Sequence, residues 1–225
     1  MIVRQLGRAD YVRTWHAMRE FNAQRNSNTD DELWLVEHPP VFTLGQAGRR
    51  AHLLAASDIP VIATNRGGQV TYHGPGQVVA YPLVDLRRLG INVKELVFRI
   101  EQSVLQTLQF FGVDGRRVPG APGVFTPWTS HAPPPFSGVA KIAALGIKVA
   151  GGCSYHGVAF NVAMDLAPYS LIDPCGYAGL QVVDLATLGI EADCEDAAVR
   201  LAERLQAHLS APAPARAPAL AKLAI

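Results

Sequence analysis

The stretch from Arg66 to Leu86, RGGQVTYHGPGQVVAYPLVDL, constrains this chain more than any other. It sets two glycine turns, an arginine, a tyrosine and a histidine at the mouth of a hydrophobic strand. Gly67 and Gly68 let the backbone turn where a Cβ would collide with an approaching group, and Gly74-Pro75-Gly76 makes a second tight turn. Val70, Thr71 and Tyr72 between them favour extended structure, so Arg66 and His73 are expected at the two ends of one short strand. Gln77 to Leu86 is apolar almost throughout, which predicts a strand covered on both faces. Taken alone, the pattern also fits a hairpin carrying a solvated arginine and a surface histidine.

Around this centre strands and helices alternate. Met1 to Leu6 alternates like an edge strand, and Ala9 to Arg25 places Tyr11, Trp15 and Met18 at helical spacing. Glu32 to Glu37 reads as a buried strand ended by His38-Pro39-Pro40, after which Val41 to Leu44 resumes extended structure. His38 reads as a loop histidine, and Ser57 to Asn65 holds a further apolar strand. Asn92 caps a helix with Glu95 three residues on, and Leu96, Ile100, Val104, Leu108 and Phe111 form its buried stripe. Gly115 to Phe125 reads as short strands. The proline-rich 126–138 predicts an exposed loop or hairpin tip, with His131 and Trp128 at its surface. Lys141 to Met164 is two strands joined at Gly151-Gly152, and Asp173-Pro174-Cys175-Gly176 is a tight turn. Glu195 to Leu209 forms a last amphipathic helix capped by Asp193. These readings give an α/β chain with one domain over residues 1–209 and a mobile alanine- and proline-rich tail over 210–225.

A formal charge of +1 gives no overall field for nucleic acid or an anionic membrane. No stretch reaches the ~18 apolar residues of a membrane span, and the start has no basic-then-apolar leader, so a cytoplasmic protein is expected. Cys153, Cys175 and Cys194 are an odd count without CxxC spacing, which argues against a disulfide framework or a zinc site. As nucleophiles they differ. Cys194 stands among Asp193, Glu195 and Asp196, which disfavour a thiolate. Cys153 reads as a small buried hydrophobe, whereas the turn at Cys175 suits either packing or presentation to a pocket. The chain has four lysines against sixteen arginines, and Lys141 reads from its position as a solvated strand-end charge.

Six blocks in order resemble the lipoyl(octanoyl) transferase family: DELWLVEHPPVFTLG, RGGQVTYHGPGQ, GRRVPGAPGVF, AKIAALGIKV, GGCSYHGVAFNV and DPCGYAGL. The resemblance implies the fold of the biotin and lipoate protein ligase catalytic domain, a mixed sheet with flanking helices. It implies transfer of an octanoyl or lipoyl group from acyl carrier protein to a lysine of lipoate-dependent proteins. The nucleophile falls on Cys175, and Lys141 becomes the cation that favours the thiolate and the general acid–base, a role arginine cannot fill. The slot walls fall on Arg66, Gly67, Gly68, Gln69, Val70, Thr71, Tyr72, His73, Ala144, Leu145, Gly146, Gly157, Val158 and Ala159. Burying roughly seven carbons of an acyl chain at about 0.8 kcal/mol each gives near 5 kcal/mol for selecting chain length. His73 is expected to donate to the carbonyl or orient Lys141, and His156 to satisfy local backbone groups. Acyl carrier protein is the implied donor. The implied acceptors are lipoyl domains of 2-oxoacid dehydrogenase E2 subunits and the glycine cleavage H protein. A monomer without ATP or metal is expected, with Arg49-Arg50, Arg87-Arg88 or Arg116-Arg117 meeting the carrier's acidic surface. Three rivals stand beside this reading: an ATP-dependent lipoate or biotin ligase, a non-catalytic module that holds a lipoyl domain, and a thiol hydrolase built on Cys175 and His73.

Overall fold

A computed structural model of the protein describes residues 1–129 and 132–210, so His131 and all of the expected tail but Ser210 lie outside the described residues. The chain runs through β1 (Ile2–Arg8), α1 (Tyr11–Gln24), β2 (Glu32–Glu37), β3 (Val41–Leu44), β4 (Val61–Ala63), β5 (Val70–His73) and β6 (Gln77–Leu83). It continues through α2 (Leu86–Leu89), α3 (Val93–Phe110), β7 (Arg116–Val118), β8 (Ala121–Pro127), β9 (Val139–Ala150), β10 (Cys153–Asn161) and α4 (Cys194–Leu209). One sheet has the order β1-β2-β6-β10-β9-β8-β7; a smaller one has the order β4-β3-β5. In the large sheet β1 pairs with β2 in parallel and the other neighbours are antiparallel. It is thus the mixed sheet with flanking helices expected from the sequence.

Helix ends follow the side chains that satisfy their free amides. The carboxylate of Asp10 accepts from Arg13 N, Asn92 Oδ1 accepts from Glu95 N, and Asp193 Oδ1 accepts from Asp196 N. One face of the large sheet is covered by α3 and α4, whose Leu96, Ile100, Val104, Leu201 and Leu205 pack on Leu35, Ala80, Ile142 and Phe160. On the other face α1 sets Met18 against Trp34, Val79, Tyr81 and Tyr155. Every residue of β6 is buried, because it lies between these two layers.

Several expectations change in detail. The strand expected to reach Leu86 stops at Leu83, where Asp85 turns the chain and caps α2. Arg66 is not at a strand end: it lies in the loop before β5, while His73 is the last residue of that strand. Phe111 is the half-buried C-cap of α3 and not part of its stripe. β4 is short, with Val61 and Ala63 exposed. The segment after β8 is more than a loop tip, since Ala132 and Phe136 are buried with Phe125, Val139 and Leu180. Trp128 is half-buried and donates to Gln181 Oε1 at 2.8 Å.

Candidate active site

Lys141 and Cys175, 34 residues apart, meet with Nζ 2.9 Å from Sγ. Lys141 is not the solvated strand-end charge that its position alone suggested. It is 3% exposed on β9, where Nζ also donates to Pro122 O at 3.0 Å and stands 5.2 Å from the Phe125 ring centroid. Its room comes from Gly123, whose φ of 127° favours glycine and whose missing side chain matters: a Cβ there would lie 2.7 Å from Lys141 Cε. Gly123 was not singled out in the sequence, although it falls inside the GRRVPGAPGVF block.

Cys175 is half-buried in a 3-10 turn over Pro174–Gly176 closed by Gly176 N donating to Asp173 O at 2.8 Å. Its φ of 57° lies in the left-handed region, which a residue with a side chain seldom adopts. The segment that follows the turn is tied to the sheet by Lys141 N donating to Gln181 O and Val183 N donating to Lys141 O. It is tied to the preceding loop by Asp173 N donating to His52 O. A Cβ on Gly176, whose φ is 75°, would lie 2.2 Å from Gln69 Oε1, so the Cys175 turn packs closely on the Arg66 loop where glycine leaves room.

A cavity of about 40 Å³ runs inward beside Cys175 between β5, β6, β9 and β10. Val70, Val79, Ala144, Leu145, Val158 and Ala159 give it apolar walls, and Gly68, Gly146 and Gly157 keep it open. Arg66, Gln69, Thr71 and His73 also line it. Gly67 and Tyr72 do not, contrary to expectation. Residues of a strand alternate in direction, and Tyr72 turns to Phe42 and Tyr169 in the smaller cluster, while Gly67 N donates to Ile147 O. Tyr11, Tyr81 and His156 complete the lining. Tyr11 comes from α1, an element without a glycine signal, and only its aromatic character in an apolar pattern could have marked it. A larger polar groove of about 860 Å³ lies elsewhere, lined by Arg19, Arg25, Arg87 and Asn22, and its open, charged walls suit an acyl chain poorly.

Arg66 is 7% exposed and has no carboxylate partner among the described residues. It holds the loop by donating from Nε to Thr43 Oγ1, from Nη1 to Gly67 O, and from Nη2 to the carbonyls of Thr43 and Gln69. Burial moves its pKa down, opposed by the charges of Tyr11 and Cys175. The same guanidinium adds to burial in holding both slot histidines at about 3, so both are neutral near pH 7. His38 is likewise moved down by burial.

Hydrogen bonding fixes each tautomer. Gln77 Nε2 donates to Asn161 Oδ1, leaving Gln77 Oε1 to accept from His73 Nδ1 at 2.8 Å. Asn65 Oδ1 accepts from Trp15 Nε1 and therefore from His156 Nε2, both at 3.0 Å. His73 consequently touches no lysine and has no proton to donate into the slot, and His156 bonds to a side chain and not to backbone, unlike both expectations.

The other thiols are placed differently. Cys153 is 4% exposed, the buried hydrophobe expected. Cys194 begins α4, and burial first, then Glu37 and Asp193, push its thiol up to about 11. Of the arginine pairs, Arg87 binds Asp85, Arg88 lies 3.7 Å from Asp31, and Arg117 binds Glu101. Arg49 and Arg50 are exposed, with no ion pair among the described residues. No helix among the described residues is long and apolar enough to cross a membrane.

The family model for the lipoyl protein ligase A/B catalytic domain matches residues 10–206. An octanoyltransferase of Methylibium petroleiphilum is 60% identical over 218 residues, covering 92% of this chain and 97% of the relative. One of Polaromonas naphthalenivorans is 55% identical over 218 residues, with coverages of 92% and 97%. Among solved structures, a bipartite lipoate protein ligase from Thermoplasma acidophilum superposes with a TM-score of 0.66 at 14% identity, over 93% of this chain and 84% of that one. The biotin protein ligase of Aquifex aeolicus, in complex with biotin and ATP, reaches 0.55 at 11%, over 92% and 70%. The chain belongs to the lipoyl protein ligase A/B catalytic-domain family, whose fold those two structures share. Within it, the chain is an acyltransferase of the octanoyltransferase group.

Proposed function

We propose that the protein takes an octanoyl or lipoyl group from acyl carrier protein onto Cys175 and passes it to a specific lysine of a lipoate-dependent protein. The observation that carries this reading is the 2.9 Å contact between Lys141 Nζ and Cys175 Sγ at the head of an apolar cavity. An ammonium at that distance stabilises the thiolate, which attacks the thioester carbonyl; the C–S bond to the carrier breaks and the carrier leaves as a thiol with the proton. The acceptor amine then attacks the acyl-enzyme. The amide C–N bond forms, the bond to Sγ breaks, and the amine's proton passes to a base, for which the amine form of Lys141 is suited. Thioester exchange is nearly balanced, and amide formation draws the sequence forward without ATP or a metal.

The exposed Arg49-Arg50 pair supports the carrier's docking site, because the 50–52 turn is bonded directly to Asp173 beside the nucleophile. Acidic carrier surface and these two guanidinium groups attract each other over about a Debye length. The acceptors in this reading are lipoyl domains of 2-oxoacid dehydrogenase E2 subunits and the glycine cleavage H protein, met in the cytoplasm by a monomer. An ATP-dependent ligase has no use for the thiol–ammonium pair.

The test is intact-protein mass after mixing the protein with octanoyl-acyl carrier protein and no ATP. The expected result is a gain of one octanoyl group that Cys175→Ala lacks and an apo lipoyl domain discharges. Transfer that requires ATP and free acid would overturn the reading in favour of the ligase.

A further inference from the structure

Attack of the Cys175 sulfur on a thioester forms the Sγ–C bond and leaves a negative charge on the former carbonyl oxygen, which a hydrogen-bond donor must meet. Most donors around Cys175 are engaged elsewhere. Gly176 N donates to Asp173 O at 2.8 Å and Tyr177 N to Pro174 O at 3.1 Å, so these two amides are spent within the turn. Lys141 Nζ is shared between Sγ and Pro122 O, and the Nε, Nη1 and Nη2 atoms of Arg66 donate to Thr43, Gly67 and Gln69. His73 Nδ1 and His156 Nε2 hold their ring protons on Gln77 and Asn65, away from the slot.

Two side-chain donors of the lining, Gln69 and Tyr11, carry no such bond. The Tyr11 hydroxyl is buried without a partner, and its ring stacks on His73 at 5.6 Å between centroids. His73 ends β5, whereas Gln69 directly precedes its first residue, about 13 Å away along the strand at 3.3 Å per residue. Gln69 is the one that lies beside Cys175. A Cβ on Gly176 would meet its Oε1, Cδ and Nε2 together, so the amide lies flat against the residue that follows Cys175. The Gln69 backbone is fixed from two sides, because its carbonyl accepts from Gly45 N at 3.0 Å and from Arg66 Nη2 at 2.7 Å. Of the amide atoms, Oε1 is buried without a partner, and Nε2, bonded to no described residue, is the end left open to the slot. A donor held in place in this way is preorganised for a charge that appears only during reaction.

We propose that Gln69 is a catalytic residue of the transfer, its Nε2 donating to the acyl carbonyl oxygen of the tetrahedral intermediates on Cys175. This rests on the acyl-transfer reading and names the donor that reading needs. In the first half the charge gathers on that oxygen as Sγ–C forms, and it returns to the C=O bond as the C–S bond to the carrier breaks and the carrier's sulfur takes the proton. The same oxygen is charged again when the acceptor amine adds, so one amide serves both halves.

The experiment measures single-turnover formation of the octanoyl adduct at saturating octanoyl-acyl carrier protein and, in parallel, alkylation of Cys175 by iodoacetamide, in the parent, Gln69→Met and Gln69→Asn. Alkylation displaces iodide from a CH₂ group and develops no oxyanion, so it reports only whether the thiol and Lys141 are still in place. Adduct formation is expected to fall about 10²-fold in Gln69→Met and roughly 10-fold in Gln69→Asn, which keeps an amide but withdraws it by a methylene. Both variants are expected to keep the parent's alkylation rate within about twofold and its urea unfolding transition. Adduct formation within about threefold of the parent in both variants overturns the inference. A parallel fall in alkylation overturns it too, because Gln69 would then only pack the turn. Loss in Tyr11→Phe with none in Gln69→Met would give the oxygen to the phenol and overturn it likewise. A parent that forms no octanoyl adduct overturns the acyl-transfer reading as well.

Discussion

Cys175 and Cys194 each stand in the first turn of a helical segment and each is half-buried, yet their surroundings are opposite. Cys175 faces the ammonium of Lys141 and lies within electrostatic reach of buried Arg66. Cys194 faces Glu37 and Asp193, and its thiol is pushed up to about 11 although it sits at a helix N-terminus. A helix terminus contributes about 0.3–1 kcal/mol to an anion there, too little to offset burial and two carboxylates. The charge of the immediate neighbours, more than position on an element, sets the two thiols apart.

The sharpest way to break this contrast is to remove each sulfur. Cys175→Ala is expected to lower octanoyl transfer by roughly a thousandfold or more, while Cys194→Ala stays within about twofold, measured as the initial rate of lipoyl-domain acylation. Equal losses would dissolve the comparison. Alkylation by iodoacetamide at pH 8 reads the thiolates directly. With a pKa of about 11, only about one Cys194 in a thousand is ionised, so peptide mapping is expected to find the label on Cys175 well before Cys194.

The next variant keeps the charge and removes its mobility. Lys141→Arg retains a cation but can neither give up a proton nor fit against Gly123, and a loss in kcat of about 10²-fold is expected in steady-state assays. A near-normal rate would leave Lys141 as a counter-ion only.

A smaller effect contrasts the charged head of the slot with its neutral inner end. His73 and His156 are held at about 3, far below the ordinary 6.5. Below pH 6.5 the unfolded chain binds protons that the folded chain refuses, so stability is full above that pH and falls as pH drops toward 3. Each histidine contributes about 1.4 kcal/mol per pH unit. Urea unfolding is expected to show about 2–3 kcal/mol less stability at pH 5.5 than at 7.5, with roughly half of that difference removed by His73→Phe. A flat profile between those pH values would show that the histidines take up protons while folded.

How legible each part was follows from the range of the forces that build it. α3 was readable because its Asn92–Glu95 cap and apolar stripe lie within one stretch of chain, and β6 because both its neighbours demand apolar residues. Resemblance, not pattern, singled out Cys175 and Lys141, and Lys141 read from position alone looked solvated. Its burial depends on Gly123, Pro122 and Phe125, contacts across two strands that no local period records. The run Arg66 to His73 was read as one wall, yet strand alternation sends Tyr72 to the opposite side. Tyr11, legible only as part of a helical stripe, and Tyr81, legible only as part of an apolar strand, reach the slot through packing.

The backbone ties between Lys141 and residues 181–183 set the cohesion of the Lys141–Cys175 pair. Between β10 and α4 the chain makes turns and isolated bridges but no strand ladder, so the segment with Cys175 is fastened at a few points. Such a segment opens locally at lower free energy than the sheet. Amide hydrogen exchange at Gln181 to Val183 should then outpace that of β9, and each excursion carries Cys175 away from its lysine. The protein would thus have an inactive, fully folded sheet among its natural fluctuations, and an acyl group on Cys175 lodged in the slot would slow that exchange.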